Sequence, residues 1–132
     1  MSGGKIAYHY AFLRVVPHVH LGSFINVGVM MHSRTAEFLG VRLIPDVSAL
    51  PLLKDEVDLD LLNRYLGCYQ RICVGDGSAG PVALLPPSER FHWMTAPRSD
   101  VLQPSAVHEG VASQPEKALD RLYEQMVIPK RV

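Results

Sequence analysis

Between Tyr8 and Val16 apolar and aromatic side chains fill both alternating sets of positions, Tyr8, Tyr10 and Phe12 on one and Ala11, Leu13 and Val15 on the other. A strand that is apolar on both faces belongs in the interior of a sheet, covered on each side. Pro17 ends the run, and His18 to Ser23, with Gly22 inside it, reads as a turn into a second strand from Phe24 to His32. In that strand Ile25, Val27, Val29 and Met31 share one face, while Asn26, Gly28 and His32 share the other with Phe24 and Met30. Ser33-Arg34-Thr35 is polar and turn-like, and the run from Glu37 to Ile44 extends the hairpin into an antiparallel meander.

The period then changes from strand to helix. Asp46 caps a short helical piece interrupted by Pro51. From Asp58, a good N-cap, Leu59, Leu62, Leu66, Tyr69 and Cys73 form a helical stripe, with Asn63, Arg64, Gln70 and Arg71 lying mostly elsewhere. Gly75 to Pro81 has the composition of a flexible loop, and Pro86-Pro87-Ser88-Glu89 opens a short helix carrying Phe91, His92 and Trp93. Val101 to Gln103 and Ala106 to His108 offer further short strands. Ser113-Gln114-Pro115-Glu116 has the spacing of a capping box, after which Leu119, Leu122, Tyr123 and Met126 recur at helical period until Pro129. The pattern predicts an α+β fold: an antiparallel sheet of about four or five strands with an N-terminal meander, packed against two main helices. One domain spanning residues 1–132 is expected, with residues 1–5 a flexible N-terminus.

Composition narrows the partners. Thirteen Lys plus Arg balance thirteen Asp plus Glu, so no net positive field draws the chain to nucleic acid or an acidic membrane surface. No apolar run approaches the roughly 20 residues that span a bilayer, and the first five residues lack the apolar core of a signal peptide. A cytoplasmic protein is expected. Cys68 and Cys73, the two cysteines, stand five apart on different faces of a predicted helix, which suits neither a zinc knuckle nor a redox pair.

Motif by motif, little chemistry emerges from the first two thirds of the chain. Gly75 and Gly80 have P-loop separation, but Pro81-Val82 stand where Lys and Ser or Thr are needed. His18 and His20 would share a face if extended, yet no third ligand is near in sequence, so loop histidines and no metal are expected. His9, between two tyrosines, reads as a hydrogen-bonded packing residue. Phe91 to Gly110 is different, because polar groups of functional type concentrate there. Trp93 is the only tryptophan, Arg98 offers a planar set of five donors, His92 and His108 titrate near neutrality, and Ser99 and Ser105 add hydroxyls. Folded back on itself, this segment would bring those groups to one pocket wall. The structural alternative packs Trp93 in the core and pairs Arg98 with an acid such as Asp100.

Two blocks give the chain a family resemblance. The first is Phe24-Ile25-Asn26-Val27-Gly28-Val29, preceded by a strand ending Arg14-Val15-Val16-Pro17. The second runs Glu89-Arg90-Phe91-His92-Trp93-Met94-Thr95-Ala96-Pro97-Arg98-Ser99 and continues through Ser105-Ala106-Val107-His108-Glu109-Gly110. The chain resembles the uncharacterised bacterial family called domain of unknown function 3037, with Met94 and Ala106 standing where the family often has leucine and proline. The resemblance implies a small stand-alone protein whose gene often neighbours one for a HipA-like kinase, and hence a partner or accessory role.

The expectation is therefore a binding or accessory protein without cofactor, possible partner of a HipA-like kinase, whose pocket holds a small anionic group. Arg14, Asn26, His92, Trp93, Arg98, Ser99 and His108 are its candidate residues, with Arg98 on the anion, Trp93 as an apolar platform and Gly28 permitting close approach to the sheet. The alternative is a small hydrolase or transferase acting on a phosphorylated or carboxylated substrate, with His92 or His108 as general base. Ser99 or Ser105 paired with His108 would supply a nucleophile, although no Gly-x-Ser-x-Gly elbow is present.

Overall fold

The sheet is assembled on β1 (Ile6–Val15). One edge of β1 pairs antiparallel with β2 (Ile25–Ser33), which pairs in turn with β3 (Phe38–Leu43), giving the predicted meander. On the other edge two short strands lie end to end: β4 (Leu102–Pro104) opposite Leu13 to Val15, and β5 (His108–Ala112) opposite Ile6 to Tyr10. The computed structural model describes residues 4–17, 23–50, 57–98 and 100–127. The His18 and His20 pair, Pro51 and the site candidate Ser99 lie outside these residues.

Helices cover both faces of the five-stranded sheet, which is why β1 is apolar on both. Ala11, Leu13, Val15 and Met30 pack beneath α1 (Leu59–Val74) and α2 (Pro87–Met94). Phe12, Val29 and Met31 face α3 (Pro115–Met126) through Ala118 and Leu119. The two main helices thus sit on opposite faces, and α2 joins α1. Leu13, Met30, Met31, Met94 and Leu119 are fully buried, each stabilising the fold by about 1.5 to 3 kcal/mol relative to an exposed side chain.

Two irregularities shape β1's neighbours. Leu13 faces Gly28 but Arg14 faces Asn26, so Val27 is an extra residue in β2, and its carbonyl accepts the Ile44 N–H at 2.9 Å. A Cβ added at Gly28 would lie 2.5 Å from Leu43 Cδ2 and 3.1 Å from the Arg42 carbonyl oxygen, so it is the protein's own β3 that approaches there. Opposite Ala11 and Phe12 the second edge would be left unpaired between β4 and β5. Ser105 fills that gap: its N–H donates to the Phe12 carbonyl at 2.7 Å, and its hydroxyl accepts the Phe12 N–H at 2.8 Å.

Local chemistry sets the helix ends. Asp58 accepts the Leu61 N–H at 3.0 Å, and Gly75, at φ 79°, closes α1 in the left-handed conformation. The stretch after it, expected as a loop, forms two 3-10 turns, Gly77–Ala79 and Pro81–Leu84, the first capped by Asp76. The capping box expected before α3 is absent. Gln114 is the N-cap without a side-chain bond, and Glu116 reaches Arg42 of β3 at 3.4 Å instead, alongside the 2.7 Å Arg42–Asp120 pair.

Ser105→Ala removes the acceptor of a buried N–H in the most central strand. It should cost about 1 to 3 kcal/mol in urea denaturation, with the m-value unchanged. A loss below about 0.5 kcal/mol would show that the two short strands hold β1 without the serine.

Candidate functional site

The C-terminus of α2 and the middle of α1 meet at Arg98. At and just beyond the end of α2 Arg98 donates to backbone carbonyls: Nη2 to the Trp93 oxygen at 3.0 Å, with Nη1 3.5 Å from that of Met94 and 3.4 Å from that of Ala96. A cation here also meets the negative end of the helix dipole. Nη1 further donates to the Tyr69 hydroxyl oxygen at 2.9 Å, and the guanidinium carbon lies 4.5 Å from the Trp93 ring centroid. With the Tyr69 and Trp93 rings 5.8 Å apart, the three side chains form one braced unit. Asp100, the acid that the structural alternative pairs with Arg98, accepts the Val101 N–H at 2.7 Å, and no Arg98–Asp100 ion pair occurs among the described residues.

This unit walls a pocket of about 260 Å³, completed by Tyr65 and Cys68 of α1 and by Asp100 and Leu102. It is smaller than the roughly 300 to 1,000 Å³ usual for small-molecule sites, which favours a single side chain or small ring as occupant. Burial pushes the Tyr69 phenol above its ordinary pKa, partly countered by Arg98's charge, so the hydroxyl keeps its proton while accepting from the arginine.

The other candidates lie elsewhere, contrary to the expected single wall. Arg14 and Asn26 are neighbours across β1 and β2 on the α3 side, where Arg14 Nε donates to Asn26 Oδ1 at 3.4 Å and Asn26 Nδ2 donates to the Met126 carbonyl at 3.1 Å. Arg14 also covers the Phe24 ring at 3.9 Å. The sheet separates this pair from Trp93 and Arg98. His108 is exposed beside the Tyr10 ring, 5.3 Å between centroids, again on the α3 side. His92 precedes Trp93 on α2, and a step of about 100° turns it away to a shallow groove beside Pro97, Pro104 and Ala106. The Ser105 hydroxyl is taken up at the sheet edge, where it accepts the Phe12 N–H and donates to the Ala106 carbonyl at 2.9 Å.

Register creates a polar row that spacing in sequence does not reveal. His32 of β2, His9 of β1 and Glu109 of β5 stand side by side. His9 Nε2 lies 3.1 Å from Glu109 Oε1, which gives His9 its expected hydrogen bond, and His32 stacks on the Phe91 ring at 5.6 Å. Burial, then the charges of His9 and Arg34, lower the His32 pKa from its ordinary 6.5. No group of three His, Cys, Asp or Glu is arranged to hold a metal ion among the described residues. Cys73 is buried, its thiol 3.6 Å from the Leu39 carbonyl and pushed up in pKa by that burial, an inert environment for sulfur.

The His32 shift has a signed consequence. Between the lowered folded pKa and 6.5 the unfolded chain holds more protons than the folded one, so stability falls as pH drops below about 6.5. In urea melts between about pH 7.5 and 5, His32→Gln should flatten this slope. An identical slope in the variant would assign the acid sensitivity to other groups.

Comparison with known proteins supplies a family. Neither a curated protein nor a solved structure matches the chain. The model of one family, described as a protein of unknown function, DUF3037, matches residues 10–127, which include both resemblance blocks, the Trp93 pocket and all three helices as far as Met126. Covering most of the 132 residues, this match shows that the chain belongs to the DUF3037 family.

Proposed function

We propose that the chain is a non-enzymatic binding or accessory module, and that the pocket between Tyr65, Tyr69 and Trp93 receives one side chain of a protein partner. The use made of Arg98 carries this reading. Its Nη groups are committed to the Trp93, Met94 and Ala96 carbonyls and to Tyr69, so it fixes the aromatic walls before anything binds. Pre-organised aromatic surface is what an anchoring side chain needs. Both Nη1 hydrogens and one at Nη2 are engaged, and Asp100 lines the same pocket, which lowers the support for the anionic group expected from the sequence while Nε–H and one Nη2 hydrogen stay available to it.

A HipA-like kinase is the partner suggested by the family's gene association, an associational ground. The hydrolase or transferase alternative draws less support, since His92 and His108 lie on different sides of the sheet. Neither imidazole is hydrogen-bonded to a carboxylate or hydroxyl among the described residues.

Tyr65 tests the proposal without disturbing the core, being 45% exposed. With the kinase immobilised, wild-type chain should bind, Tyr65→Ala should bind roughly tenfold or more weakly, and His92→Ala and His108→Ala should match the wild type. A turnover by the isolated chain that His108→Ala abolishes, with binding intact, would overturn the module in favour of the enzyme.

A further inference from the structure

The pocket does not end at Tyr65. A second depression of about 310 Å³ continues from it along α1, sharing Tyr65, Asp100 and Leu102 and adding Asp58, Leu61 and Val101. Together they make one groove between the exposed side of α1 and the chain leading into β4. From Asp58 to Tyr69 it runs about 16 Å, the length of roughly five extended residues.

Its two ends differ in charge. At the Trp93 end the cation Arg98 is turned onto carbonyls and Tyr69. Asp100 stands on the wall that both depressions share and Asp58 at the far end, and between them lies an apolar floor of Leu61, Val101 and Leu102. Each uses Oδ1 to accept a backbone N–H, that of Leu61 or of Val101, and neither carboxylate is paired with a cation among the described residues. A partner that brings an apolar side chain to the pocket meets negative charge beside it, and a matching positive charge is what steers and registers such contacts. The Tyr69 hydroxyl, accepting from Arg98, has its own proton to offer a peptide carbonyl.

We infer that this groove takes a short, basic and apolar segment of a protein partner, with one apolar side chain between Tyr65 and Trp93 and a Lys or Arg against Asp58 or Asp100. The inference rests on the proposed binding role of the pocket and adds the chemistry of the partner. Nucleic acid and anionic surfaces do not fit a groove so flanked.

A random-heptapeptide display library, panned on the immobilised full chain, provides the test. Panning runs in parallel on Tyr65→Ala and on the double variant Asp58→Asn, Asp100→Asn, in which asparagine keeps the capping oxygen at residue 58. Expected are selected sequences that place Lys or Arg beside an apolar residue. The best of these free of tryptophan, titrated while following Trp93, the chain's only tryptophan, should bind the double variant about fivefold more weakly and lose affinity with added salt. Acidic or uncharged selected sequences that bind the double variant equally well, yet still need Tyr65, would overturn the inference and leave the pocket proposal standing. Selection indifferent to Tyr65→Ala would overturn both.

Discussion

β1 is paired on both edges and, from Ala11 to Leu13, buried on both faces, and this single strand constrains everything around it. Its Ala11, Leu13 and Val15 face requires α1 and α2, its Tyr8 and Phe12 face requires α3, and its second edge requires two short strands from a distant part of the chain. The contacts that satisfy it span nearly a hundred residues, as in the Phe12 to Ser105 hydrogen bond. A backbone group left open in such a strand costs about as much as a lost core contact, which explains why a buried serine patches the break between β4 and β5.

Two arginines then fix the helices that lie over it. Arg90 of α2 donates to the Ile72 and Cys73 carbonyls at the end of α1, at 3.1 and 2.7 Å, and Arg98 does the same for α2 itself. The block from Glu89 to Arg98 is therefore largely a device for closing two helix C-termini beneath a shared aromatic wall. The pocket is its by-product and its opportunity: bracing Trp93 against Tyr69 leaves a fixed aromatic surface facing outward.

What the amino-acid pattern reveals follows from the range of the interactions involved. The meander, α1 from Asp58 to Gly75, the short α2 and the final helix were legible because period and caps act within a few residues. The site was half legible. Trp93 and Arg98 stand out by their chemistry, but their neighbour Tyr69 reads as one more apolar position in a helical stripe, and nothing local announces that Arg98 turns inward. Arg14 and Asn26, candidates from the first resemblance block, are sent by β-strand alternation to the α3 side. The His32, His9 and Glu109 row depends on pairing register across three strands, which no spacing encodes. Capping before α3 misled for a related reason, since Glu116 reaches Arg42 of β3 and not its own helix terminus.

On the proposed reading, this member of the DUF3037 family is a scaffold that holds an aromatic, acid-flanked groove for another protein. Native mass spectrometry of the chain, isolated gently from its own cells, tests that claim most directly. The account predicts a stoichiometric complex with a protein partner. A chain that emerges alone while retaining a small molecule or metal would contradict it.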